Sequence, residues 1–290
     1  MSDISIQGPE RQADITLRDG RKLAWSEWGP ESGKCVLFCT GAGMSGSLGF
    51  GVDVVHDLGL RLVGIDRPGL GRSDPDPSKS FLTWTADIAE LIHQLDLNRP
   101  ASLGFSQGAP FALALAHAGL VKAVAIVSGQ DELSHRRFNG MLDPGVDGLR
   151  QQVEEDPIGA ERHIAETATS EWLWSMISQM SSEADRTIYN AEPFATHYRQ
   201  ALEEGFVQGA AGYARDLILA LSPWPFALSE IDVPVHLWYG AKDTSPVHSP
   251  DFGASAADSF PRSARTLIDS HGSAVLWLHA RSILERLLRS

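Results

Sequence analysis

The stretch from Pro100 to Ala114 limits what this chain can fold into more than any other. A short apolar run, Ala101-Ser102-Leu103, leads into Gly104-Phe105-Ser106-Gln107-Gly108, and a small apolar segment rich in alanine and leucine follows. Strand character passing into helix character, with a glycine two residues to either side of a serine, fits a tight strand-to-helix reversal. Such a turn forces its central residue into a strained backbone conformation, where flanking side chains would collide with it, and glycine removes the collision. The turn lifts the Ser106 hydroxyl off the sheet edge and aims the first amides of the next helix at whatever it attacks. Ser106 is therefore the candidate nucleophile. A pattern this short also arises by chance, so its surroundings must decide.

Those surroundings alternate. Ala13 to Leu17 and Lys22 to Trp28 flank Arg18-Asp19-Gly20-Arg21 and read as a β-hairpin. Cys35 to Cys39 is a continuous apolar run, as expected of a strand covered on both faces. A helix from Val52 to Leu58, a strand from Leu60 to Ile65 and an amphipathic helix from Trp84 to Leu95 follow, then the reversal, its helix, and a strand from Val121 to Val127. From Asp131 to Leu228 no strand pattern appears, only acidic helical stretches with scattered large apolar residues. Alternation resumes with a strand from Val235 to Tyr239, a helix near Phe252 to Ser259, a strand from Thr266 to Asp269 and a last helix from Val275 to Leu288. The expected architecture is α/β: a mostly parallel eight-stranded sheet with helices on both faces, carried by residues 1–130 and 229–290, and an all-helical insertion over 131–228.

Composition removes several classes of function. Of 290 residues 43% are hydrophobic and 21% charged, as in ordinary soluble proteins, with disorder expected only over the polar first ten or so residues. A formal charge of −13 and the lack of a basic stripe argue against nucleic acid as a partner. No apolar run reaches the roughly 18 residues of a membrane span, and Met1 to Arg11 lacks the layout of a secretory signal, so a cytoplasmic location is the default expectation. Cys35 and Cys39 lie four residues apart on one strand, roughly 13 Å, which exceeds the reach of a disulfide at about 7 Å between Cα atoms. They read as buried thiols, and no spacing suggests a metal ligand set.

The loop Thr40-Gly41-Ala42-Gly43-Met44-Ser45-Gly46 invites a phosphate-binding reading. It has no lysine and the wrong spacing for a P-loop, and a lone G-x-G is no dinucleotide fingerprint. A backbone loop needing close approach to a substrate oxygen fits better.

Taken together, the chain resembles the α/β-hydrolase family over nearly its full length. The resemblance rests on Gly41-Ala42-Gly43, Asp66-Arg67-Pro68-Gly69-Leu70-Gly71-Arg72-Ser73, Gly104-Phe105-Ser106-Gln107-Gly108, Gly240-Ala241-Lys242-Asp243 and Ser270-His271-Gly272, each at a strand end and in family order. It implies the α/β-hydrolase fold, with the helical insertion as a cap over the pocket.

A serine hydroxyl needs a base to take its proton and an acid to orient that base. Among ten histidines, His271 stands just past a strand and ahead of a helix, where an open sheet places its ligand-facing loops, and is the candidate base. His236, His248 and His279 read as structural or surface residues. The resemblance implies Asp243 as the acid, with Asp131 after the sixth strand as the rival position. It also implies an oxyanion hole from the backbone amides of Ala42 and Gln107, although Thr40 stands where most relatives carry histidine. Asp66 and Arg67 would brace the loops beneath the site rather than take part in chemistry. Trp172, Met176 and Met180, at four-residue spacing, are candidates to line an apolar acyl site.

With serine at the reversal, the implied reaction is hydrolysis of a small-molecule carboxylic ester or lactone through an acyl-enzyme, without metal or cofactor. Amide or carbon-carbon bond hydrolysis, cofactor-free oxygenase or perhydrolase chemistry, and a ligand receptor with little turnover remain as alternatives.

Overall fold

The computed structural model describes Ile4 and residues 6–290. Eight strands form one sheet in the order β1-β2-β4-β3-β5-β6-β7-β8. They are β1 (Arg11–Thr16), β2 (Lys22–Trp28), β3 (Lys34–Cys39), β4 (Leu60–Ile65), β5 (Ala101–Phe105), β6 (Val124–Val127), β7 (Val235–Gly240) and β8 (Ser263–Ile268). The hairpin pairs are antiparallel, as is β2 with β4, and every pairing from β4 to β8 is parallel. The central strands β5, β6 and β7 are buried at every residue, which is why they read as unbroken apolar runs. The edge strands β1 and β8 alternate instead. Polar Ser263 and Arg265 on the open face of β8 hide its first half, so the strand begins three residues before the expected Thr266.

Helices cover both faces. On one side α1 (Val52–Asp57), α11 (Val275–Leu278) and α12 (Ala280–Leu288) pack against Phe38, Leu103, Val127 and Trp238. On the other, α2 (Phe81–Gln94), α3 (Gly108–His117) and α10 (Ala254–Ser259) pack against Leu37, Ile65, Ile126 and Leu237. A capping box between Ser80 and Thr83 starts α2 three residues before the expected Trp84. The final helix, expected to be continuous, is broken at His279 into α11 and α12.

Between β6 and β7 the described residues contain helices and no strand: α4 (Pro144–Glu155), α5 (Pro157–Thr167), α6 (Ser170–Met180), α7 (Glu183–Tyr189), α8 (Phe194–Gly205) and α9 (Ala211–Leu221). Asp143 and Asp156 cap α4 and α5, each followed by proline in the first turn, so both helix starts are locally encoded. Leu173, Trp174, Tyr189, Tyr198 and Leu217 of these helices share one apolar cluster with α11 and α12. No helix among the described residues is long and apolar enough to cross a membrane.

Order begins earlier than the polar start suggests. Ile6 is buried in the core, and the Glu10 carboxylate bonds His56 Nε2 and the Gly29 amide. Residues 1–3 and 5, on which the expectation of disorder also falls, lie outside the described residues. Cys35 and Cys39 are free, and burial pushes both thiols up to about 12, so they stay protonated and inert.

Candidate active site

The reversal after β5 has the geometry its glycines require. Ser106 adopts φ +51°, in the left-handed region. A Cβ on Gly104 would lie 2.7 Å from Ala109 Cα, and one on Gly108 would lie 2.0 Å from the Cys39 carbonyl oxygen. Ser106 N–H donates to the Val127 carbonyl at 3.2 Å, tying the turn to the neighbouring strand. Within β5 and the start of α3, Ser106 is the one residue from Ala101 to Pro110 that is not buried.

The imidazole that meets it is His248. Ser106 Oγ lies 2.8 Å from His248 Nε2, and His248 Nδ1 lies 2.7 Å from Asp243 Oδ2. With Nδ1–H donating to the carboxylate, the Nε2 lone pair is left to accept the Ser106 proton. Both partners sit in the loop after β7. There Asp243 Oδ1 accepts the Ser245 amide at 3.0 Å, and His248 N–H donates to the Ser245 carbonyl at 3.2 Å, so the chain turns back and lays the imidazole over its own acid. Ser249 N–H donates to the Gly129 carbonyl at 3.0 Å and holds the loop against the end of β6. The side chains of His248 and Asp243 are only 8% and 4% exposed, which strengthens their attraction.

The expectation for His271 is therefore corrected. Its Nδ1 bonds Ser270 Oγ at 2.6 Å, its ring stacks edge-on near His279, and it lines a surface groove with Ile188 and Phe194, away from Ser106. The cause is a clamp on the loop after β8. Buried Asp185 of α7 accepts the amides of Gly272, Ser273 and Ala274 at 3.1, 2.9 and 3.2 Å, and this turn faces Ser273 into the cavity beside Ser106. Ser273 Oγ bonds the Tyr189 hydroxyl at 2.7 Å. The reading of His248 as a structural or surface residue is corrected with it. The missed signal was local: an acid with a histidine five residues on, separated by the turn-forming Thr244-Ser245-Pro246.

The rival acid Asp131 is engaged elsewhere. It pairs with Arg137 at 2.6 Å and accepts Ser249 Oγ at 3.1 Å, bracing the histidine loop from below.

Ala42 and Gln107 both line the cavity beside Ser106, and among the described residues neither backbone N–H has a hydrogen-bond partner. Arg67 explains how the first is aimed. Its guanidinium, fully buried, donates to the Thr40 carbonyl at 2.6 Å and the Gly41 carbonyl at 2.9 Å. In a trans peptide the carbonyl of Gly41 and the N–H of Ala42 point in opposite directions, so drawing one inward turns the other out. Arg67 is held in turn by Asp216 of α9 at 2.7 Å, and Lys79 pairs with the same carboxylate. Thr40 Oγ1 donates to the Met44 carbonyl at 3.1 Å and closes the loop locally. Asp66 accepts the amides of Gly46 and Arg72, a bracing position, with burial raising its pKa above the usual carboxylate range.

The cavity over Ser106 holds about 80 Å³. Met176 and Met180 line it, but Trp172 does not: it is 42% exposed, with its ring toward Tyr213. Each four-residue step turns a helix by about 40° beyond a full circle, so a stripe at spacing four drifts off its face. The residues of α6 that do line the cavity, Leu173, Met176, Ile177 and Met180, follow the true helical spacing. Among the described residues no cluster of side chains could hold a metal ion.

Comparison with known proteins agrees with this frame. The chain is 27% identical over 267 residues to a non-heme chloroperoxidase of Streptomyces lividans, covering 88% of each sequence. A bromoperoxidase from Bacillus anthracis superposes with a TM-score of 0.70 at 19% identity, covering 97% of this chain and all of that one. An esterase from Exiguobacterium antarcticum superposes at 0.68, also at 19% identity, covering 96% of this chain and 98% of that one. The model of the alpha/beta hydrolase fold matches residues 34–279, and with strand order, reversal and loops in place, this chain belongs to the α/β-hydrolase family.

Proposed function

We propose that the protein is a serine hydrolase that cleaves a small-molecule carboxylic ester or lactone through an acyl-enzyme on Ser106. The observation that carries this is the continuous line of hydrogen bonds from Ser106 Oγ to His248 Nε2 and from His248 Nδ1 to Asp243. In this reading His248 takes the hydroxyl proton as Oγ attacks the carbonyl, and Asp243 stabilises the imidazolium that forms. The developing oxyanion meets the amides of Ala42 and Gln107, where each donor is worth about 2.7–4 kcal/mol in the transition state. His248 then passes its proton to the departing alkoxide. Water, deprotonated by the same imidazole, attacks the acyl-enzyme, and Ser106 leaves as the hydroxyl with the acid as product.

The helices over residues 131–228 act as the cap that shapes the cavity, with Met176 and Met180 on its wall and Trp172 outside it. An amide or a carbon-carbon bond would require a poorer leaving group, so esters and lactones come first. The relatives named for haloperoxidases favour a second reading, perhydrolysis. There hydrogen peroxide replaces water at the second step and leaves as a peracid, with the same residues at work.

The test is a series of p-nitrophenyl esters of increasing chain length and a set of lactones, with and without peroxide, using Ser106→Ala and His248→Ala as blanks. Sustained turnover, abolished in both variants, is expected. Turnover that survives in Ser106→Ala would remove the acyl-enzyme, and a ligand-bound protein without turnover would make it a receptor.

A further inference from the structure

Three tyrosines reach the cavity above Ser106, and they are not equivalent. The Tyr189 hydroxyl is already bonded to Ser273 Oγ. Tyr198 of α8 and Tyr213 of α9 are 3% and 4% exposed, and among the described residues neither hydroxyl has a hydrogen-bond partner. Neither oxygen is among the polar atoms that surrounding protein seals off, and both residues line the cavity. Buried tyrosine hydroxyls ordinarily find a partner, and an apolar wall carrying two that have none is shaped for one that arrives from outside.

The chemistry of that partner is constrained. Burial raises both phenols above their usual range, so they remain protonated and donate. Among the described residues His248 beside Ser106 is the one titratable imidazole and no lysine, arginine, aspartate or glutamate lines the cavity, so an ionised group placed away from His248 would go unpaired.

We propose that Tyr198 and Tyr213 form a specificity site for a neutral acceptor oxygen, and that the preferred substrate is a short ester or lactone bearing an ether, keto or amide oxygen away from its scissile carbonyl. This rests on the Ser106 reading for the position of the scissile bond but not for the hydrogen bonds. Tyr198 and Tyr213 touch the substrate without taking part in bond making.

Two matched pairs test it: p-nitrophenyl methoxyacetate against butyrate, and methoxyethyl butyrate against butyl butyrate. Each pair exchanges one ether oxygen for a methylene at constant length. Comparing wild type with Tyr198→Phe, Tyr213→Phe and the double variant cancels the intrinsic reactivity of the esters. In at least one pair, kcat/KM for the ether ester should fall about ten-fold in a variant, the scale of one buried hydrogen bond, while its alkyl partner changes by less than about two-fold. Equal losses on both members of each pair would assign the hydroxyls to structure. No loss on any ester would mean that they serve water alone, and either result overturns the proposal. Calorimetric binding of methoxyacetamide and butyramide puts the same comparison without chemistry, so a protein that hydrolyses neither ester still shows whether the hydroxyls select for the ether oxygen.

Discussion

His248 Nδ1 lies 2.7 Å from Asp243 Oδ2, and the two residues stand five positions apart in one loop. The imidazole and the carboxylate lined up with Ser106 therefore arrive on a single segment, fixed by the Asp243 to Ser245 turn, while the loop after β8 is held by Asp185 and contributes Ser273 to the cavity.

The two histidines separate cleanly in a mutational test. His248→Ala should lower kcat on an activated ester by about 10⁴- to 10⁶-fold, whereas His271→Ala should stay within about two-fold of wild type. Initial rates with p-nitrophenyl acetate decide it. A large loss in His271→Ala with little in His248→Ala would reverse the assignment.

The acids separate in the same way. Asp243→Asn leaves the shape of the loop but favours the wrong imidazole tautomer, and should cost about 10⁴-fold in kcat. Asp131→Asn weakens the support from Arg137 and Ser249 and should show mainly as a lower Tm, with kcat reduced far less. Paired melting curves and rate measurements on the two variants make the comparison.

Arg67→Lys keeps the buried charge beside Asp216 but cannot hold two carbonyls with one flat fork. Loosening the 41–42 peptide misplaces the Ala42 amide, and kcat should fall by about 10²- to 10³-fold with KM little changed. A rise in KM at constant kcat would place Arg67 in ground-state binding instead.

Burial, then the charge of Arg286, lowers the pKa of His236 from 6.5 to about 4. The unfolded chain accepts a proton in that window and the folded chain refuses it, so this group favours folding above about pH 6.5 and loses its contribution as pH falls toward 4. His236→Gln removes the mismatch. Its Tm should drop less than that of wild type on going from about pH 7 to about pH 4.5. Parallel Tm profiles would show that His236 does not contribute.

Much of this protein can be read along the chain, and the reasons are local. The buried strands β5, β6 and β7 announce themselves because both their faces need apolar side chains. The reversal at Ser106 announces itself because only glycine fits at 104 and 108. The helical start at Ser80 and the edge strand β8 were less legible, since a capping box and an alternating edge strand carry weak hydrophobic patterns. Trp172, Met176 and Met180 share a spacing, yet a period of 3.6 residues places only the methionines on the cavity.

Which histidine reaches Ser106 is a different kind of question. The sequence by itself determines the buried strands and the reversal at Ser106, because each depends on residues within a few positions of one another, while Asp243 in the loop after β7 comes from the family resemblance. Only the tertiary structure decides between His248 and His271, since that choice turns on contacts between distant segments. Asp185, from the helices between β6 and β7, clamps the loop after β8, and the Gly129 carbonyl holds the loop after β7. Hydrogen bonds that join segments so far apart along the chain leave no periodicity in it.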